Sequence, residues 1–281
     1  MHNLCTSHAD KSGQDAKAPR NKVSVHEKWS IKMTTPIAIL FFALSAASFG
    51  AVSPVYAQST FTPPDGCTAY LSVQSRSCIV SHHWTCEADP EGVHWRIAMD
   101  SDGPFYLSMS DNEFRWLRNY NLRDGGTTTL IEPEEDPASL TDLLANGRDA
   151  MVYSTLTEER DGATLIRNYT GFDALTGETV VVDGHELLRT DFLYEYDLGF
   201  GPRRVSGTQY VSEAWRLFFG GLETVTVADG GTFEADYSPM EFAEPGERGF
   251  LSMQPNYDCG DMMSALPQMG ADLILVGYDH D

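Results

Sequence analysis

The stretch from Val93 to Met109, VHWRIAMDSDGPFYLSM, decides the fold. Apolar and polar residues alternate in it on both sides of a turn at Asp100 to Gly103. Alternation with a period of two is typical of a half-buried β-strand. Folding the stretch about its turn brings three apolar pairs together on one face: Trp95 with Met109, Ile97 with Leu107, and Met99 with Phe105. The stretch therefore predicts a β-hairpin with one apolar and one polar face.

The same pattern recurs along the chain. Asp-Gly dipeptides separate further alternating segments, and they begin at Asp102, Asp124, Asp161, Asp183 and Asp229. Asp-Gly readily adopts the positive φ angles of tight hairpin turns. Another turn is predicted at Gly220-Gly221, between strands at Arg204 to Phe219 and Leu222 to Val227. We expect a mainly β protein with a large antiparallel meander sheet, either a curved open sheet or a partial barrel, and one or two short helices.

Four segments interrupt or extend this meander. Ser139 to Asn146, followed by Gly147, has the start and stop signals of a short helix. Ser110 to Glu113 fits a capping box, but the aromatic residues after it favour a strand. Glu132 to Asp136 is acidic and contains a proline, which predicts a surface loop. The apolar run within Ala271 to Tyr278 predicts a last strand.

The first 57 residues resemble an export leader. Pro36 to Ala51 is an apolar run of signal-peptide length, and Lys28 and Lys32 precede it. Small residues before position 58 predict cleavage after Ala57, so residues 1–57 form a signal peptide with an extended n-region. Residues 58–281 then form a single exported antiparallel β domain, periplasmic or secreted, with no stable membrane span.

Removing the leader changes the composition. Residues 58–281 contain 13 basic residues, all of them Arg, and 38 acidic residues, a net charge of about −25. Such an acidic protein should repel nucleic acid and anionic lipid head groups. We therefore expect no nucleic-acid partner.

Four cysteines remain in the exported part: Cys67, Cys78, Cys86 and Cys259. In an exported protein this number predicts two disulfides. A hairpin about Ser75 to Ser77 would place Cys67 opposite Cys86 and leave Cys78 for Cys259. The alternative joins Cys67 to Cys78 and Cys86 to Cys259.

Aromatic residues are concentrated on the later strands. From Leu188 to Phe200, the aromatic residues fall on one face of the predicted strand, and acidic residues fall on the other. An aromatic row of this kind is usually part of the core. The functional interpretation is a cleft in a curved sheet, lined by Trp95, Phe192, Tyr194, Tyr196 and Trp215.

No motif of established chemistry stands out. His82, His83, Cys86 and His94 are close in sequence, but adjacent histidines on a strand point to opposite faces, and an oxidised cysteine is no metal ligand. Asp100 to Gly103 lacks the remaining ligands of a calcium loop. His185, with Glu186, Asp191 and Glu195 nearby, could supply acid and base groups, but no nucleophile motif accompanies it.

These observations favour a non-enzymatic exported cell-envelope protein that binds an apolar small molecule or lipid on a curved β-sheet, without a cofactor or metal. A structural or assembly partner of another envelope protein is the alternative. A secreted hydrolase that uses His185 or His83 with a carboxylate is a further alternative.

Overall fold

The computed structural model describes residues 59–197 and 201–260. The strands are β1 Cys67–Ser75, β2 Ile79–Cys86, β3 His94–Asp100, β4 Gly103–Ser110, β5 Trp116–Asn121, β6 Thr127–Asp136, β7 Arg148–Glu158, β8 Thr164–Val182, β9 His185–Asp197, β10 Pro202–Ser212, β11 Leu217–Thr226, β12 Thr232–Asp236 and β13 Pro239–Ala243. One helix, α1 Leu140–Asn146, lies between β6 and β7. The predicted leader and the predicted strand at Ala271 to Tyr278 lie outside the described residues.

The strands form one antiparallel sheet of 13 strands. From β1 to β12 each strand pairs with the next in the chain, and β13 joins the free side of β1. This arrangement is a meander of hairpins closed by one returning strand. The prediction of a large antiparallel sheet with little helix is confirmed.

The sheet curls until its two edges come close together. Its edge strands are β12 and β13, and only Tyr237 and Ser238 separate them in the chain. Side chains from β2 to β4, such as Ile79 and Tyr106, share a buried cluster with Tyr194 of β9. Strands so far apart in the sheet order can share a core only if the sheet is strongly curved.

Two glycines on the inner side of the sheet accompany this curvature. A side chain at Gly171 would meet the carbonyl oxygen of Leu193, and one at Gly207 would meet that of Leu222. Both positions allow the neighbouring strand to approach more closely than a Cβ atom would permit.

The hairpin of β3 and β4 follows the prediction at two of its three apolar pairs. Trp95 lies opposite Met109, and Ile97 lies opposite Leu107. A register shift after Ala98 places Met99 opposite Pro104 and moves Phe105 into the inner cluster. The predicted pair of Met99 with Phe105 is therefore wrong, because an irregularity in a strand changes the face that later residues occupy.

A second layer covers the outer face of β1 to β4. Phe61, Phe250 and Met253, from segments before β1 and after β13, pack with the buried Trp84 and other side chains. The two segments also join each other, because the Phe61 amide donates to the carbonyl of Leu251 at 2.8 Å. The outer face of β1 to β4 is therefore packed against this second layer.

Disulfides join Cys67 to Cys86 and Cys78 to Cys259. The first links residues that lie directly opposite each other on β1 and β2, as the hairpin register predicts. The second attaches the C-terminal segment to the beginning of β2. This is the first of the two predicted connectivities.

The remaining local predictions have mixed outcomes. Helix α1 is as predicted, with Ser139 as its N-cap and Gly147 at φ 78° after its end. Residues 111–115 form a turn that leads into the strand β5, so the strand interpretation was the better one. Glu132 to Asp136 belongs to β6 and is not a loop, although its pairing with β7 is irregular there.

The turn predicted at Gly220-Gly221 is wrong. β10 ends at Ser212, and β11 runs through both glycines. The connection lies at residues 213–216, where Arg216 adopts a positive φ of 52°. The glycines instead allow β11 to pass close to a neighbouring strand, since a Cβ atom at Gly221 would meet the carbonyl oxygen of Thr208.

Candidate functional site

The curled sheet encloses a cavity next to α1. Its empty volume is about 720 Å³, including the part open to solvent. The lining comes from the segment before β5, from β5, β6, α1 and the strands β7 to β11, and includes Phe114, Trp116, Glu134, Leu140, Asp149, Met151, Tyr153, Asp173, Phe192, Tyr194, Gln209 and Phe218. The walls are thus largely aromatic and aliphatic, with a few polar groups among them.

Aromatic contacts hold these walls in place. Phe192 and Tyr194 stack along β9 with ring centroids 6.0 Å apart. On the other side, Phe114 packs against Phe218 at 4.9 Å. Buried aromatic pairs are rigid apolar surfaces, so these walls are built before any ligand arrives.

The structure brings together some of the five predicted binding residues and separates others. Phe192 and Tyr194 line the cavity, and Tyr196 belongs to the same buried cluster. Trp215 packs in another cluster, against His185 and Phe242. Trp95 lies in the outer layer, where its indole donates to Asp89 at 2.7 Å. Alternation placed Phe192 and Tyr194 on the face of β9 that lines the cavity, but it could not show that β3 presents Trp95 to the opposite layer.

A second cavity adjoins the first. It has about 630 Å³ of empty volume, including open solvent, and it shares Phe114, Trp116, Gln209 and Phe218 with the first cavity. Its own polar groups include His83 and Arg96, which lie opposite each other on β2 and β3. Burial and the positive charge of Arg96 hold the pKa of His83 well below its usual value, so this imidazole is neutral at pH 7.

Ion pairs fix the mouth of the first cavity. The Arg115 guanidinium bonds Asp111 at 2.8 Å and Glu134 at 3.2 Å. Glu113 accepts hydrogen bonds from the backbone amide and hydroxyl of Thr141, at 2.8 and 2.6 Å, and pairs with Arg216 at 3.0 Å. Burial would raise the pKa of Glu113, but these bonds and the charge of Arg216 lower it overall. Both arginines are therefore neutralised, and the turn before β5 is tied to α1.

Two carboxyl groups face the cavity from adjacent strands. Asp149 of β7 and Asp173 of β8 lie directly opposite each other, and both line the cavity. Burial, followed by the nearby charge of Asp149, raises the pKa of Asp173 to about 7. Burial also raises the pKa of Asp149, despite the hydrogen bond of 2.8 Å that it accepts from the Ser139 amide. Within residues 59–197 and 201–260, neither carboxyl group has a basic side chain as an ion-pair partner.

No pattern in the sequence predicted that these two aspartates lie side by side. Asp173 shares the inward parity of Tyr169 on β8, and its position among apolar residues was the available signal. Asp149 becomes its neighbour only through the pairing of β7 with β8, and the sequence alone does not reveal this pairing.

Gln209 supplies a further polar group. It is 8 % exposed and lines both cavities. Its side-chain amide makes no hydrogen bond to the described part of the chain. A buried amide that is open to a cavity can donate and accept hydrogen bonds there.

The histidines are used structurally. His82 points to the outer layer, where its Nδ1 is hydrogen-bonded to the Ser72 hydroxyl at 2.9 Å and its ring stacks on Phe61. His94 bridges Tyr70 and Asn112. Among the described residues, no carboxylate bonds His83 or His185, and no group of three potential metal ligands occurs. Asp100 to Gly103 forms the hairpin turn, where Asp100 pairs with Arg123 at 2.6 Å.

In the described residues, no helix has the length and apolar character needed to cross a membrane. Comparison with protein-family models, with curated proteins and with solved structures found no match.

Proposed function

We propose that the mature protein is a non-enzymatic, exported cell-envelope protein that carries a small, largely apolar molecule inside its curled sheet. The observation that carries this proposal is the aromatic cavity beside α1. Small-molecule sites are typically concave and mostly apolar, with a few placed polar groups. The cavity has these properties, and its walls are preorganised by ring packing.

Export is supported by two independent features. The leader pattern at Pro36 to Ala51 predicts secretion. Two disulfides are compatible with an oxidising compartment outside the cytosol. A carrier in the periplasm or outside the cell would meet its ligand in that compartment.

The alternatives have less support. A hydrolase built on His83 or His185 would need a carboxylate in contact with the ring, and His185 instead contacts Trp215 and Phe242. An assembly partner that adds a strand to the sheet would need a long free edge. The edge strands β12 and β13 have only five residues each.

The test is mass spectrometry of the mature protein purified from its own export pathway, under native conditions and then after organic extraction. We expect a bound small molecule that is released on denaturation. Ala138→Trp should fill the mouth of the cavity and abolish this mass, because Ala138 lines it. Ala145→Trp is the matched control on the exposed side of α1 and should retain the ligand. If the Ala138→Trp variant still retained the bound molecule and had an unchanged circular dichroism spectrum, the proposal would be contradicted.

A further inference from the structure

We infer that the ligand carries a protonated amine on an apolar body, and that Asp149 and Asp173 bind this cation. The inference rests on the proposed carrier function and specifies the chemical class of its ligand.

The first step is that, among the described residues, no basic side chain forms an ion pair with Asp149 or Asp173. Residues opposite each other on antiparallel strands have Cβ atoms about 5 Å apart, so two carboxyl groups there repel each other when both are ionised. Fixed cations could offset this repulsion, but Arg115 and Arg216 at the mouth are already paired with other acids. The guanidinium of Arg148, the neighbour of Asp149 in sequence, lies 3.6 Å from the ring centroid of Phe172 and forms no ion pair with either aspartate.

The remaining charged groups around the pair strengthen this argument. Those that raise the pKa of Asp149 are all acidic, namely Asp136, Asp142 and Glu113. On the other side of β8, Asp173 lies opposite Phe192 of β9, which carries no charge. The cavity therefore has a negative electrostatic potential at Asp149 and Asp173, which favours a positively charged ligand group.

The second step is the supply of uncharged contacts for an ammonium group. Tyr153 and Tyr194 line the same cavity, and aromatic rings attract cations. Gln209 lines it as a buried amide without a hydrogen-bond partner in the described chain, so its side-chain oxygen can accept from an N–H donor. The apolar walls of Phe114 and Phe218 would contact the rest of the ligand.

The third step is pH dependence. Burial and the charge of Asp149 raise the pKa of Asp173 to about 7, whereas an alkyl amine stays protonated well above that pH. The carboxylate form binds the cation, so affinity should rise between pH 6 and pH 8. Because the bound cation lowers the pKa of Asp173, binding near pH 7 should release protons.

The experiment is isothermal titration calorimetry on the full mature chain, freed of ligand, with three probes of the same shape. They are phenethylamine, the neutral 2-phenylethanol and the anionic 3-phenylpropanoate. We expect the amine to bind at least about tenfold more tightly than the alcohol, since a hydrogen bond to a charged group contributes roughly 1.5–3 kcal/mol. At pH 7 the observed heat should vary with the ionisation enthalpy of the buffer, which reports proton release.

Asp173→Asn should remove both the preference for the amine and the proton release, while 2-phenylethanol binding changes by less than about twofold. Asp149→Asn gives an independent second variant with the same expected loss of preference. Asp191→Asn is the matched control, because Asp191 is exposed on the adjacent strand β9. It should bind all three probes as the wild type does.

The outcomes separate this inference from the carrier proposal. If the alcohol binds as tightly as the amine, the cation inference is overturned and the carrier proposal stands. The cation inference is also overturned if Asp173→Asn leaves the amine preference intact. If none of the three probes binds the wild type and native mass spectrometry shows no ligand, the carrier proposal itself fails.

Discussion

Cys78 and Cys259 are joined across 181 residues of sequence, and their disulfide holds the C-terminal segment against the beginning of β2. The other disulfide, Cys67 to Cys86, spans only 19 residues within one hairpin. A crosslink restricts the unfolded chain more strongly when it closes a longer loop. The two bonds should therefore contribute unequally to stability.

Replacing Cys78 and Cys259 together by Ser should reduce the free energy of unfolding by about 5 kcal/mol, according to the chain-entropy relation. The matched pair Cys67→Ser with Cys86→Ser should lose about 3 kcal/mol, because its loop is shorter. Urea denaturation of both double variants measures this difference. Equal losses, or a larger loss for the hairpin pair, would contradict the loop-length argument.

Ser72 connects the outer layer to the sheet. Its hydroxyl accepts from the Leu251 amide at 2.8 Å and forms a hydrogen bond of 2.9 Å with Nδ1 of His82. Burial lowers the pKa of His82 to about 4, which keeps the ring neutral at pH 7. Ser72→Ala should reduce the free energy of unfolding by roughly 1–3 kcal/mol, since two buried groups lose their partner.

Urea denaturation at pH 7 measures the effect of Ser72→Ala. Ser154→Ala is the control, because it removes a hydroxyl that bonds Asn168 at 2.7 Å on an exposed face. Its cost should stay within about 0.5 kcal/mol. A similar small cost for Ser72→Ala would show that the outer layer does not depend on this bond.

Glu223 makes stability depend on pH. Its side chain is 3 % exposed, and burial raises its pKa to about 8. The unfolded chain ionises this group near pH 4.5, so between pH 4.5 and 8 the folded state holds a proton that the unfolded state has lost. Stability from this group is complete below pH 4.5 and is lost as pH rises through 8, up to about 5 kcal/mol.

Glu223→Gln should remove this contribution, so the variant should lose less stability than the wild type between pH 5 and pH 8. Thermal unfolding across that range measures the difference. Glu234→Gln, on the exposed side of the neighbouring strand, should keep the wild-type profile. Parallel profiles for Glu223→Gln and the wild type would contradict the prediction.

Gly171 tests the close approach of strands in the curled sheet. A Cβ atom there would meet the carbonyl oxygen of Leu193 and lie 2.7 Å from Cβ of Tyr194. Gly171→Ala should therefore destabilise the protein by about 2 kcal/mol, because β9 must shift to relieve the overlap. Since Tyr194 also lines the cavity, the variant should bind ligand more weakly.

Denaturant unfolding and calorimetry measure the two effects of Gly171→Ala. Thr170→Ala, one residue earlier and exposed on the outer side, is the control and should change stability by less than about 1 kcal/mol. A neutral Gly171→Ala would mean that the sheet does not need this contact.

The local structure of this protein follows from its sequence. Alternation and Asp-Gly turns predicted the meander, and Ser139 with Gly147 predicted both ends of α1. The same hairpin logic predicted Cys67 opposite Cys86, because residue pairing within a tight hairpin depends only on local spacing. On β9, strand parity also selected Phe192 and Tyr194 as inward-facing residues.

The candidate site depends on contacts that no local pattern contains. The pairing of β7 with β8 brings Asp149 next to Asp173. The curvature of the sheet then encloses both with β9 and α1. The outer layer packs against Trp95 and leaves it partly buried away from the cavity, although its alternation is the same as that of a cavity residue. Sequence alternation separates the two faces of a strand, but only the tertiary structure decides which face encloses the cavity and which is covered by another segment.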